Sequence, residues 1–340
     1  MSKSIEHNGQ KFQIPNTWEE FINSMTMKNI DFKSIKRDEF NKNSILIKLI
    51  DSHFQELYKS KDFILPELKT LGNQSISIFS DYGGEHTTSK YYSYSFLFCG
   101  WDHSWYAREE FEKIRIKHSL NKKEISFKDL NYGPINRALE DYLMAINKNV
   151  FGFLLTVLVE KEINPLFLGN TNKHLLKEIE DAGLGHWKIK NAEKLMRILH
   201  IISYILPLIS DSDQKIFWMT DEDSIVANKE MFKNTYKLLQ NVLKIYTDNK
   251  YDLIYGAIPF KTEDVYTMDL LSITDLVAGS VEQYFTSKKT DGHPNIKEGA
   301  EKVIKWLGTH SDFLKKETVL IYQENNMIKI DGIKFNINNQ

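Results

Sequence analysis

A chain of 340 residues that is 41% hydrophobic and 12% aromatic has enough apolar surface for one large core or two modest ones, which excludes a disordered or fibrous protein. Its 44 basic and 46 acidic side chains leave a formal charge of −2, which excludes a uniformly basic nucleic-acid binder but not a local basic surface. The single cysteine, Cys99, excludes an intramolecular disulfide and a cysteine-based zinc site, and suits a reducing cytoplasm.

Residues 1–72 read as an N-terminal appendage. The segment from Ile5 to Phe12 carries an Asn8-Gly9 turn and reads as a hairpin, and Thr17 with Glu20 forms a capping box before a helix through Phe21 and Met25. A second helix is expected over residues 45–58, with Ile45, Leu46, Leu49, Phe54 and Leu57 on one side. The first residues lack the apolar core of a signal peptide, and the longest apolar stretch, residues 198–209, is too short to span a bilayer. A soluble, cytoplasmic protein is therefore expected.

The order of elements becomes specific from Ser75 onward. Strands are expected at 75–81, 91–99 and 124–128, followed by a helix over 134–147 and an apolar strand over 151–159 that ends in Glu160-Lys161. A helical insertion around 165–210 follows, its longest helix at 191–208. Next come a strand over 215–220, a helix over 229–246, a strand over 252–259 and a helix over 268–285. Continuous apolar runs at 151–159 and 215–220 indicate strands covered on both faces, as a parallel or mixed sheet requires. The tail, 291–340, reads as a helix near 296–307 and short strands at 319–322, 328–330 and 333–335, with Asp331-Gly332 as the last turn.

Acids stand where these strands stop. Asp81 closes the run Ser75 to Ser80 and precedes Gly83-Gly84, and Asp221 closes Lys215 to Thr220, the position at which open α/β sheets collect ligands. On the helix over 268–285, Asp275 falls just outside the stripe of Leu270, Leu271, Val277, Ala278, Val281 and Phe285, so it can reach the sheet's rim. If the strand ending in Glu160 lies beside the first strand, Glu160 joins them. Asp81, Glu160, Asp221 and Asp275 are the expected ligands of Mg²⁺ or Mn²⁺, hard cations that prefer carboxylate oxygen and can clamp both oxygens of a phosphodiester under attack. Lys128 is the candidate phosphate contact within that site. A basic run of Lys188, Lys190, Lys194 and Arg197 beside Trp187 is the candidate nucleic-acid surface, and the lysines and arginine between Lys113 and Lys123 form a second.

Three strands, a helix, a strand and a late carboxylate-bearing helix resemble the ribonuclease H-like superfamily. More narrowly, Phe79-Ser80-Asp81-Tyr82-Gly83-Gly84 resembles the hydrophobic-D-E-S-G opening of an uncharacterised bacterial group, the family numbered 3800 among domains of unknown function. Glu124-Ile125-Ser126-Phe127-Lys128 is similar to its E-I-K-x-S segment, Glu160-Lys161 to its D-K, and the stretch Leu270 to Gly279 to its closing L-Q-L-A-D-L-x-A. The chain departs from that pattern in having Tyr82 at the second acid and Glu at 160. The resemblance implies a mixed sheet flanked by helices over 73–290, with the N-terminal appendage, the insertion and a small C-terminal β extension added. It also implies a metal-dependent nuclease acting on DNA or RNA and, by analogy, a bacterial or mobile-element defence role.

Two other functions fit the residues. A non-catalytic binding module of the same fold would use the terminal additions as partner surfaces. A haloacid dehalogenase-type phosphatase would take Asp221 as nucleophile and Asp223 as acid/base in Asp221-Glu222-Asp223-Ser224, though that motif normally opens its domain. No phosphate-loop, dinucleotide or His-Glu-x-x-His spacing occurs in the sequence.

Overall fold

The computed structural model describes residues 4–7, 10–13, 35–40, 44–60, 65–69, 72–163, 172–259 and 265–335. It is α/β: a mixed seven-stranded sheet lies between two layers of helices, and a two-stranded hairpin, β1 (Ser4–His7) with β2 (Gln10–Gln13), stands apart from the sheet. The expected capping box and helix through Phe21 and Met25 lie outside the described residues. Helix α1 (Arg37–Phe40) and helix α2 (Ile45–Lys59) follow; Ser44 caps α2, its hydroxyl accepting from the Ile47 N–H. Phe40, Leu46, Ile47, Ile50 and Phe54 are fully buried in the same core as the sheet.

The sheet runs β7 (Leu253–Ala257), β6 (Lys215–Thr220), β3 (Ser75–Gly83), β4 (Tyr91–Gly100), β5 (Gly152–Glu160), β8 (Leu314–Glu324), β9 (Met327–Gly332). Strands β3, β4 and β5 are antiparallel neighbours, whereas β6 pairs in parallel with the free side of β3, and β7 in parallel with β6. All nine residues of β5 are buried, because helices cover both of its faces. One face packs on α2, α6 (Ile189–Ile209) and α7 (Lys229–Tyr246), with Ile78, Phe96, Val157 and Trp218 at its centre. The other packs on α3 (Trp105–Lys117), α4 (Gly133–Asn149), α8 (Val265–Asp291) and α9 (Glu298–Leu307), with Phe79, Leu97, Leu154 and Leu270. Helix α5 (Asn172–Asp181) lies against α6. Among the described residues, no helix is long and apolar enough to cross a membrane.

Three local expectations are corrected. Residues 124–128 are not a strand: they run through coil into a 3-10 turn at Phe127–Asp129. The strand ending at Glu160 pairs with β4, not β3, and the neighbour of β3 is β6. The last turn is not Asp331-Gly332, which lies inside β9; Asn325 and Asn326 make it, with φ of 51° and 60°, the left-handed pair that a tight two-residue hairpin needs. The C-terminal strands also belong to the main sheet, since β8 adds in parallel to β5. Helix α3 is an element that the sequence reading did not anticipate.

Candidate functional site

Parallel pairing of β3 with β6 sets Ser80 beside Thr220, so the next residues, Asp81 and Asp221, stand at one level: β6 ends before Asp221, whereas β3 does not stop at Asp81 as expected but runs on to Gly83, with Asp81 opposite Ser95 of β4. Neighbouring strands lie about 4.8 Å apart. The Asp221 N–H donates to the Ser80 carbonyl at 3.3 Å, which holds the two segments together. Asp81 has the parity of Phe79 and so faces the layer that contains α8.

Helix α8 approaches β3 closely because Gly83 has no side chain. A Cβ there would stand 3.3 Å from the Ala278 carbonyl oxygen, one helical turn from Asp275. Gly279 does the same for the Phe127 turn, since a Cβ would come within 2.3 Å of the Phe127 ring. Seated against the helix, the Phe127 N–H donates to Asp275 Oδ2 at 2.7 Å. The charge of Asp275 acts on the Asp81 carboxyl.

Glu124 completes the cluster. Its charge acts on both Asp275 and Asp221, and Arg115 holds the loop that carries it. Arg115 Nη1 donates to the carbonyls of Asn121 and Lys123, each at 2.9 Å, while Nε and Nη2 grip the carboxylate of Asp269 on α8. Arg115 and Asp269 are both buried, and Tyr142 Oη donates to the Asp269 carbonyl. One guanidinium therefore fixes the loop that carries Glu124 to the helix that carries Asp275. The sequence reading missed Glu124 because Glu-Ile-Ser-Phe-Lys alternates like a strand. The signal that could have found it is that it opens one of the segments that carry the family resemblance.

Gathered acids raise one another's affinity for protons. Burial pushes the Asp81 carboxyl well above the usual range, the charges of Asp275 and Asp221 add to this, and the Tyr82 N–H, 2.6 Å from Oδ1, and Lys194 oppose it. Asp275 is pushed up to about 6, by burial first and then by Glu124 and Asp221, against the Phe127 hydrogen bond. Asp221 is raised by burial, the Glu222 N–H opposing, with Glu124, Glu222 and Asp223 adding.

The donor set of Asp81, Glu124, Asp221 and Asp275 is all carboxylate oxygen, the chemistry that suits Mg²⁺ or Mn²⁺ rather than a softer metal. Among the described residues, no three His, Cys, Asp or Glu side chains are already drawn into a ready-made metal-binding group. Burial and their mutual charge raise the affinity of Asp81, Asp221 and Asp275 for protons.

A pH dependence follows. A carboxyl whose folded pKa is raised stabilises the fold below its unfolded value, near 4, and loses that contribution as pH rises through the folded value, here about 6. In EDTA, Asp275→Asn is therefore expected to match the parent near pH 4 and to exceed it above pH 6 by about 1–3 kcal/mol. Urea denaturation at both pH values checks this, and a variant no more stable than the parent at pH 7 contradicts it.

The other sequence candidates fall elsewhere. Glu160 is buried at the end of β5, where Lys289 pairs with Oε1 and the Gln323 N–H donates to Oε2 at 2.9 Å. Lys289 is fourteen residues beyond Asp275 on one helix, roughly 21 Å along its axis, so Glu160 does not converge with the other acids. The misplaced neighbour of β3 explains that expectation. Lys128 is exposed on the 3-10 turn near Asp129.

Lys188 and Lys190 are exposed, but Lys194 and Arg197 are buried and do not form a solvated basic face. Lys194 Nζ reaches Glu85 Oε1 and Asp223 Oδ2, both at 2.5 Å, and Arg197 pairs with Glu193 and donates to Tyr94 Oη at 3.3 Å. Asp223 is thus a staple of its loop, also accepting from the Ile225 N–H and the Ser224 hydroxyl. Tyr82 points to the opposite face from Asp81, its hydroxyl sharing hydrogen bonds with Ser80 and Thr220.

Compared with known proteins, the sequence matches no family model, and no curated protein shows significant similarity to it.

Proposed function

We propose that this protein is a divalent-metal-dependent nuclease of ribonuclease H-like fold that hydrolyses phosphodiester bonds in DNA or RNA. The observation that carries this reading is the gathering of Asp81, Glu124, Asp221 and Asp275 at one end of the sheet, from two adjacent parallel strands, a clamped loop and a crossing helix. The strand order supports it too: three antiparallel strands are followed by two that add in parallel beside the first, and the last acid rides on a late helix. Mg²⁺ or Mn²⁺ would be held by these four carboxylates and, when bound, supplies Lewis-acid stabilisation of the charge that builds on the phosphoryl group. Asp81 and Asp221 give the site a rigid floor, because Asp81 lies within β3, paired with Ser95 of β4, and Asp221 directly follows β6, which pairs with β3. Asp275 and Glu124 close it from above, positioned by Phe127 and Arg115. Carboxylates would hold a cation in their deprotonated form, so with Asp275 raised to about 6 metal affinity is expected to rise with pH through about 6.

The test is cleavage of labelled single- and double-stranded DNA and RNA and of a hybrid duplex, with Mg²⁺ or Mn²⁺ against EDTA. Metal-dependent cleavage is expected with the parent, reduced at least about 100-fold in folded Glu124→Gln, since even groups behind a metal's direct ligands contribute about 10–100-fold. Cleavage unchanged in that variant removes Glu124 from the site. Binding without cleavage of any substrate assigns the chain to the binding-module class instead.

A further inference from the structure

A cavity of about 220 Å³ lies on the face of the sheet opposite the acids, between the ends of β3 and β5, the start of β4 and the first turns of α6. Its walls combine Tyr82, Tyr92 and Tyr94 with Lys161, Lys190, Lys194 and Arg197. Two of the four cations are neutralised within the protein, Lys194 by Glu85 and Asp223 and Arg197 by Glu193. Among the described residues, no carboxylate forms an ion pair with Lys161 or Lys190. Lys161 Nζ donates to the His86 carbonyl and sits 5.2 Å over the Tyr92 ring. Burial lowers the Lys161 pKa; the charge of Glu282 opposes this, Lys190 adds to it, and the smaller effects of Glu85 and Lys90 oppose and add in turn. In the wall, Arg197 is 3% exposed and, among the described residues, its Nε–H has no hydrogen-bond partner, an unmet donor beside a cavity.

We infer that this cavity binds one nucleotide, its base against Tyr92 and its phosphate between Lys161 and Lys190 at the amino end of α6. The volume bounds the ligand: about 220 Å³, below the roughly 300–1,000 Å³ of drug-sized pockets, leaves part of a nucleotide open to solvent and excludes a duplex. The walls decide its class. Aromatic faces stack bases, lysines pair with phosphate, and the first turn of a helix favours negative charge. A base entering over Tyr92 displaces the Lys161 ammonium from the ring towards the phosphate, while the Arg197 guanidinium, 5.5 Å from the centroid of the same ring, stays in the wall.

The nucleotide is either free or one unit of a single strand; in the second case the inference rests on the nuclease reading and supplies its substrate track. Binding is measured by titration calorimetry on full-length Asp81→Asn protein in EDTA, so that neither metal nor cleavage enters. Failure here therefore leaves the nuclease reading standing, and absent cleavage leaves binding readable. The probes are 5′-mononucleotides, unphosphorylated nucleosides, inorganic phosphate and a short single-stranded oligonucleotide.

Mononucleotides are expected to bind more tightly than nucleosides or phosphate. Tyr92→Leu is expected to weaken them by roughly 5- to 150-fold, the loss that one base stack represents. Lys190→Gln, at an exposed position that does not endanger the fold, should weaken the mononucleotide and leave the nucleoside unchanged. An oligonucleotide that competes with the mononucleotide and binds more tightly identifies a strand unit; one that does not compete identifies a free ligand. Equal affinity in parent and both variants, or binding of phosphate as tight as that of mononucleotides, overturns the inference.

Discussion

Asp81→Asn is expected to lower metal-dependent phosphodiester cleavage at least about 100-fold while the protein remains folded, because it removes a ligand charge from the centre of the acid cluster with almost no change of shape. The backbone supports that separation of effects. Asparagine keeps an oxygen for the Tyr82 N–H, and the pairing of β3 with β4 and β6 uses main-chain groups alone. Burial already disfavours the Asp81 charge, with Asp275 and Asp221 adding to it, so the variant should also be at least as stable as the parent in EDTA at neutral pH. Rates with Mg²⁺ and Mn²⁺, together with a denaturation midpoint, measure both parts. A folded variant that cleaves at the parental rate refutes the role of Asp81.

Arg115→Met is expected to cost about 3–5 kcal/mol of folding stability, since it strands the Asp269 carboxylate in a buried setting and frees the loop carbonyls of Asn121 and Lys123. The same change unclamps Glu124 from α8, so the remaining folded protein should lose cleavage although Arg115 is not itself one of the gathered acids. Arg115→Met combined with Asp269→Leu should recover much of the stability, because replacing both partners leaves no unpaired charge, but not the cleavage. Urea denaturation of the single and double variants checks this. A single variant within about 1 kcal/mol of the parent contradicts the assignment of Arg115 as the clamp.

Asp221 and Asp275 were legible because each rests on local pattern, an apolar run that ends in an acid or an acid at the edge of a helical stripe, whereas Asp81 was read as a strand's end and β3 runs two residues past it. Which strands are neighbours was not legible. Reading residues 124–128 as a third strand made residues 151–159 the fourth and set Glu160 beside Asp81. Once 124–128 is a loop, β5 is the third strand, β6 becomes the fourth, and Asp221 takes the place given to Glu160. Five alternating residues cannot reveal that Phe127 rests on Gly279 or that its N–H serves Asp275 rather than a ladder. Lys194 and Arg197 were also misread. On a helix buried along most of its length, Lys194 is paired by Glu85 beyond β3 and Asp223 in the β6 loop, which no local spacing records, whereas the partner of Arg197 is Glu193 one turn earlier on the same helix, a spacing that the sequence does contain.

The central claim is that Asp81, Glu124, Asp221 and Asp275 form one divalent-cation site. Anomalous diffraction from crystals of the parent protein soaked in Mn²⁺ measures it directly. The account predicts an anomalous peak among these four carboxylates that is missing from identically soaked Asp81→Asn crystals. A peak elsewhere with none among the four, or one that survives in the variant with Asp81 turned away, contradicts it.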